Sequence, residues 1–321
     1  EAPSEPMAEI MLAGGNEGYL ELDGIAGGPA LGGRILFHAN RKESDGNRKN
    51  QELNLTDFYA KGEWDLGETQ AVTARLSHFR EDSQLTYSGL TRAEFEADPR
   101  GNPFGKNDEF ETRRWSATLS HGWEITPSLK LLTTGYYHYF DRDWWRQSSN
   151  SLERPNDASD PLCGGMANLN TTCGTQGNVR SYYTYGVETR LTVDHAAFGL
   201  GGQTELGARY HNEKQRRQQI RTDTPTSRVP GTTVNGGIRE NQTRYVDAYA
   251  LFAQSELVFG PVSVQPGVRA EFIDYERVNL PISVLVANLP TGALTATTRG
   301  ESYLDEVIPG VGATLALNKQ I

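Results

Sequence analysis

Hydrophobic and polar residues alternate along most of this chain. In RSYYTYGVETRLTV (180–193), Tyr183, Tyr185, Val187, Leu191 and Val193 form one apolar set, with Thr189 its one polar member. Between them lie Tyr182, Thr184, Gly186, Glu188, Arg190 and Thr192. A period of two predicts a strand with one apolar face and one wet face. The pattern returns in Trp115, Ala117, Leu119, Trp123 and Ile125, in Val262, Val264, Val268, Ala270 and Phe272, and in Val311, Ala313, Leu315 and Leu317. About twelve strands are predicted, many of 12 to 18 residues. Strands in soluble sheets have a mode of roughly 5–6 residues. Such length favours a barrel that crosses a membrane, where the apolar set faces lipid and the polar set a watery lumen.

The connections come in two kinds. Short ones are DLGET (65–69), ITPS (125–128), DHAAFG (194–199) and FGP (259–261), where Gly, Pro and Asp favour tight turns. Long ones run over about 82–109, 146–178, 222–240 and 279–299. The two kinds alternate, so an antiparallel meander gathers all short turns at one end and all long loops at the other. Outer-membrane barrels have this layout, with short periplasmic turns and long extracellular loops.

Aromatic residues mark the two levels between. Trp64, Trp123, Phe198 and Phe259 lie beside short turns. Trp115, Tyr137, Tyr139, Trp144, Trp145, Tyr183, Tyr185 and Tyr249 lie toward the long loops. From Tyr249 to Phe259 is ten residues, about 33 Å of strand at ~3.3 Å per residue. A tilt of ~40° reduces this to roughly 25 Å along the membrane normal, the height of the apolar band between two aromatic girdles.

Composition narrows the partners. Hydrophobic residues make up only 36% of the 321, and no run approaches the ~18 apolar residues of a transmembrane helix. A net charge of −10 argues against a nucleic-acid partner, because phosphate binding needs a basic face. The opening EAPSEPMAEI carries no signal peptide.

Catalytic and nucleotide-binding motifs such as HExxH, GxSxG, GxGxxG and GxxxxGK are absent, and the six histidines are scattered. The only cysteines, Cys163 and Cys173, share the loop PLCGGMANLNTTCG. A disulfide closing that loop is expected, since an exposed pair in an oxidising compartment pairs up, and two isolated thiols make a poor zinc site. Arginines gather toward the long loops of this acidic protein: Arg216, Arg217, Arg221, Arg228 and Arg239, with Arg142 and Arg146 flanking Trp144-Trp145 and Arg180 opening a strand. Guanidinium groups bind carboxylates in a two-pronged way, so they suit a carboxylate-rich anion. Binding of lipopolysaccharide phosphates, or simple solvation, is the alternative for each.

The segment SGLTRAEFEADPRGNPF (88–104) and the string RSYYTYGVETR resemble TonB-dependent ferric citrate receptors. RYVDAYALFAQSEL, SVQPGVRAEFID and YLDEVIPGVGATLAL resemble siderophore-type TonB-dependent barrels more generally. In that family a plug fills a 22-stranded barrel, and extracellular arginines hold iron-bound citrate. The resemblance implies ligand-binding roles for Arg142 in YFDRDWW, Arg180, and Arg239 in GGIRENQTRY. It implies an outer-membrane receptor-transporter rather than an enzyme, with TonB engaged through the plug region and with lipid and lipopolysaccharide around the wall. It implies no cofactor, the iron travelling as its chelate. The cysteine-bearing insertion departs from the family pattern and points to a related ferric carboxylate as a further candidate ligand.

The expected fold is therefore all-β, an antiparallel transmembrane β-barrel contributing about twelve strands, with residues 1–321 as one partial barrel domain and no plug. Two other readings stay open: a complete twelve-stranded pore or outer-membrane hydrolase, and a soluble all-β carbohydrate-binding protein.

Overall fold

The computed structural model describes residues 1–85, 89–90, 92–102, 105–146, 175–197, 200–224, 226–232, 236–283 and 295–316. Twelve strands follow one another: β1 (Met7–Gly14), β2 (Leu20–Ala30), β3 (Gly33–Ser44), β4 (Leu53–Asp65), β5 (Gln70–Ser83), β6 (Glu109–Thr126), β7 (Leu129–Arg146), β8 (Gln176–Ala197), β9 (Leu200–Arg221), β10 (Gly237–Phe259), β11 (Val262–Asn279) and β12 (Thr298–Leu315). One short helix, α1 (Arg92–Ala97), lies between β5 and β6. Spatial order equals chain order in a single sheet, and each strand pairs antiparallel with the next. The all-β antiparallel fold expected from the alternation is the observed one. Among the described residues β1 and β12 each pair on one side only, so these twelve strands do not close into a cylinder of their own.

Pairing register fixes the faces. Trp115 stands opposite His78 and Tyr139, Leu119 opposite Ala74 and Gly135, and Tyr185 opposite Tyr137 and Asn212. A one-residue slip would move every one of these side chains to the other face. The large apolar side chains of this face are exposed rather than packed: Leu119 is 58%, Leu251 57%, Leu76 56% and Trp115 51% accessible. Buried hydrophobic residues among those described amount to Ala2, Trp145, Ile220, Ala250 and Val278. A soluble sandwich must bury its apolar faces against each other. This sheet turns that face outward, as a wall in lipid does, and the soluble reading fails on it.

The outer face carries an aromatic belt on the long-loop side. Tyr139 meets Tyr183 with ring centroids 4.8 Å apart, Tyr210 meets Tyr249 at 5.1 Å, and Trp115 lies against His78 at 4.1 Å. Tyr210 joins this belt although its place on the outer face shows only once β9 is in register. Trp144 and Trp145 do not belong to it. Trp145 is 6% exposed beneath the Arg228 guanidinium, 5.1 Å from its ring, and the Trp144 indole donates to the Leu85 carbonyl at 3.0 Å. Phe198 lies outside the described residues. At the opposite end the turns are tight. Gly67 and Gly260 sit at φ +78° and +63° with open space where a Cβ would be, so the left-handed backbone itself selects glycine there.

Candidate ligand-binding site

Strands β8, β9 and β10 run for 22, 22 and 23 residues, longer than expected from the sequence. At ~3.3 Å per residue and ~40° tilt the longest rises roughly 55 Å, about twice the bilayer's hydrocarbon thickness. Their long-loop ends therefore stand as a wall beyond the aromatic belt. On β9 the inner face of that extension begins above Tyr210 and carries Gln215, Arg217, Gln219 and Arg221.

Register across the wall assembles a row of arginines. Arg142 on β7 is opposite Arg180 on β8, and Arg180 is opposite Arg217 on β9. Arg217 continues to Gln242, and one inward step below, Gln215 continues to Arg244 and Arg277. Five guanidinium groups thus share one inner surface on five consecutive strands. Aromatic side chains border them. Arg142 lies 6.0 Å from the Trp144 ring and Arg146 lies 4.8 Å from it, while Phe140 and Tyr182 stack at 5.9 Å just below.

This assembly is electrostatically uncompensated. Among the described residues these five arginines make one ion pair, Arg217 Nε to Glu240 Oε1 at 3.5 Å. The Nε of Arg142 is buried and has no hydrogen-bond partner there. Partial burial, with Arg180 and then Arg217 nearby, pulls Arg142 below the ordinary arginine range. Burial and the Arg217 charge do the same to Arg244, whose Nε donates to Gln242 Oε1 at 2.9 Å. Like charges gathered in a partly dehydrated surface cost free energy until an anion joins them.

Arginines lower on the same inner face are already engaged. Arg190 pairs with Glu188 at 2.6 Å and with Glu205 at 3.5 Å, and Arg269 pairs with Glu271. Arg209 donates to the Tyr136 hydroxyl through Nη2 at 2.9 Å and Nε at 3.1 Å. A recess of about 690 Å³ lies between the two levels, with Arg244 and Arg277 above and Arg209 and Arg269 below.

Of the arginines expected from sequence, Arg142 and Arg180 come together as direct neighbours. Arg239 does not join them. It was expected in a loop ending near 240, but β10 begins at Gly237 and Arg239 is the extra residue of a bulge between Ile238 and Glu240. Burial, with the Arg239 charge second, pulls Arg221 below the ordinary arginine range. Arg217, one of the arginines gathered toward the long loops, completes the row with Arg244 and Arg277, and nothing in the strings around the last two marks them. Cys163 and Cys173, with their expected disulfide, lie outside the described residues.

Comparison with known proteins settles the family. The family model described as TonB dependent receptor-like, beta-barrel matches residues 31–321. The chain belongs to that family. TonB-dependent receptor barrels are outer-membrane proteins, and the exposed apolar face, aromatic belt and long-loop extension are those of such a wall. A search of curated proteins finds none that matches this chain. Among solved structures, the ferric citrate transporter FecA in unliganded form superposes with a TM-score of 0.75 at 16% identity, covering 99% of this chain and 43% of that one. The siderophore receptor PiuA from Acinetobacter baumannii gives 0.74 at 11%, covering 99% and 48%. The ferric-catecholate import receptor Fiu from E. coli K12, open form, gives 0.69 at 13%, covering 99% and 54%. At these identities the likeness is one of fold. The chain spans about half the length of these neighbours.

Proposed function

We propose that this chain is the ligand-facing part of an outer-membrane receptor for a ferric carboxylate chelate of the ferric citrate class. The observation that carries the reading is the contrast between two sets of arginines on one inner wall. Arg190 and Arg269 are neutralised by carboxylates, whereas Arg142, Arg180, Arg244 and Arg277 make no carboxylate ion pair among the described residues. A chelate whose periphery is carboxylate supplies the missing charges, and a guanidinium fork holds such a group through two parallel hydrogen bonds.

The steps asked of these residues are capture and orientation. Arg142, Arg180 and Arg217 meet the anion beyond the membrane, and Arg244 and Arg277 carry the row inward to a recess that Glu213 and Glu271 also line. Iron stays inside its chelate and no covalent bond changes, so the protein acts as a receptor rather than an enzyme. Release inward draws on TonB-supplied energy through a plug, as in the family. Lipid and lipopolysaccharide contact the outer face. The neighbours FecA and PiuA, a ferric citrate transporter and a siderophore receptor, support an iron-chelate ligand.

The test is a titration of the receptor containing this chain, purified in detergent, with ferric citrate and with iron-free citrate. Saturable binding of the ferric form that falls when Arg180 becomes alanine supports the reading. No binding of ferric citrate, alongside binding of another ferric carboxylate, moves the ligand within the class. Binding that ignores Arg180 removes the site.

A further inference from the structure

Among the described residues the arginine row pairs with one carboxylate, and the geometry points to a competitive role for it. We infer that Glu240 is a resident counter-anion, occupying Arg217 in the empty receptor and yielding it when a more highly charged ligand arrives. This inference rests on the row being the ligand site.

The backbone delivers Glu240 to this place. The bulge at Arg239 lets Glu240 face Gln219, so its side chain falls on the inner wall beside Arg217. Its Oε1 lies 3.5 Å from Arg217 Nε and accepts a hydrogen bond from Gln242 Nε2 at 2.6 Å. Gln242 in turn accepts from Arg244 Nε at 2.9 Å. Glu240 is therefore held by its amide neighbour and touches the arginine only weakly: Arg217 Nε is buried without a hydrogen-bond partner despite the nearby carboxylate. A strong, bidentate arginine–carboxylate pair is shorter, about 2.7–2.9 Å. The contrast with Arg190, engaged with Glu188 at 2.6 Å, shows what a committed pair on this wall looks like.

A loosely held single carboxylate has a consequence for selectivity. It lowers the attraction of the row for every anion by the same local charge. A monoanion gains little by replacing it, whereas a ligand with several carboxylates also engages Arg142 and Arg180 and still gains. Glu240 thus weakens the row for any anion that must displace it. Gln at this position keeps the hydrogen-bonding shape and removes the charge.

The experiment measures affinity of the detergent-purified receptor for ferric citrate and for iron-free citrate, in wild type, Glu240→Gln, Arg217→Gln and the double variant. Partly exposed ion pairs are weak, so Glu240→Gln is expected to tighten both ligands about fivefold. The gain should vanish on the Arg217→Gln background, which a general effect on folding would not reproduce. Unchanged or weaker binding of ferric citrate by Glu240→Gln, with wild type binding normally, overturns the inference and leaves the receptor reading standing. Should wild type fail to bind ferric citrate, that reading falls and citrate alone decides. Tighter citrate binding by Glu240→Gln upholds the counter-anion role, and equal or absent binding in both proteins overturns it.

Discussion

Arg142 and Arg180 face one another in register across β7 and β8, two like charges with no carboxylate ion pair on either among the described residues. Charge-assisted hydrogen bonds contribute about 1.5–3 kcal/mol each. Arg180→Ala is therefore expected to weaken ferric citrate binding roughly 10- to 100-fold. Arg180→Lys should also weaken it, because an ammonium cannot reproduce the two-pronged contact. Arg190→Ala provides the control: that side chain is committed to Glu188 and Glu205, and binding should stay within about twofold. Equal losses at Arg180 and Arg190 in calorimetry would mean a general charge effect rather than a site.

How much of this was legible follows from what a single strand can encode. Tyr183, Tyr185 and Val187 declare their face through spacing alone, and the long loops declare which end they are on. Arg180 and Arg142 could be singled out because they adjoin loop ends in strings that resemble a family. Arg217 stands out only as one of several arginines near a long loop, and Arg244 and Arg277 do not stand out at all. Each sits on an inward position of its own strand, but their meeting depends on register between β9, β10 and β11, which no single string specifies. Arg239 stands apart from the row because one inserted residue at a bulge removes it from the alternation. Trp144 and Trp145 misled because aromatic residues near a long loop can pack under it as readily as lie in the belt.

The loop between β5 and β6 should loosen in acid. It is fastened to the β1–β2 turn by Arg100 and Glu17, and to residues 45–52 by Lys49 and Asp98 at 2.8 Å. Bonds to backbone carbonyls add to the fastening: the Asn50 and Asn102 side chains donate to each other's carbonyls at 2.9 and 3.1 Å, Arg48 donates to Gly101 at 3.0 and 3.2 Å, and the Lys49 N–H donates to Arg100 at 2.9 Å. The hydrogen bond from Arg100 holds Glu17 below the usual carboxylate range, and that from Lys49 does the same for Asp98. A carboxylate with a depressed folded value stabilises above its ordinary value of ~4 and stops doing so as pH falls through the folded value. Proteolysis within 92–102 by an acid-active protease should therefore accelerate as pH drops from about 5 to 3. A flat profile would show that the bonds to backbone carbonyls hold the loop without the two carboxylates.

Tyr136 supports the wall below the ligand row. Arg209 only donates, and its two bonds occupy the lone pairs of the Tyr136 hydroxyl. The hydroxyl proton then goes to His211 Nδ1 at 2.7 Å, leaving Nε2–H to donate to Glu213 at 2.9 Å. Tyr136→Phe deprives both Arg209 and His211 of a partner and should cost about 1–3 kcal/mol. A lowered melting temperature by circular dichroism in detergent is the expected result, with Tyr182→Phe, which has no such network, changing it little.

The two edges govern solution behaviour. β1 and β12 each leave one row of backbone groups without a strand partner among the described residues. Exposed edges template pairing with other chains. Residues 1–321 produced alone should aggregate or fail to insert into vesicles. Recovery of a monomer in detergent, resistant to added protease, would show that the edges are closed by other means.

Which face meets lipid can be decided at one pair of neighbouring positions. Leu119 lies on the outer face, four residues from Trp115 on one side and four from Trp123 on the other, at the middle of the apolar band. Ser120, next along the strand and at the same depth, lies on the inner face, opposite Thr73 and Thr134. An arginine at the bilayer midplane on the lipid face costs about 2–4 kcal/mol, whereas a lumen position hydrates it. Leu119→Arg should reduce folding yield and the denaturant midpoint in lipid vesicles, and Ser120→Arg should have a far smaller effect. The reverse order would place the apolar set inside and overturn the barrel orientation, and with it the inward position of Arg142, Arg180 and Arg217.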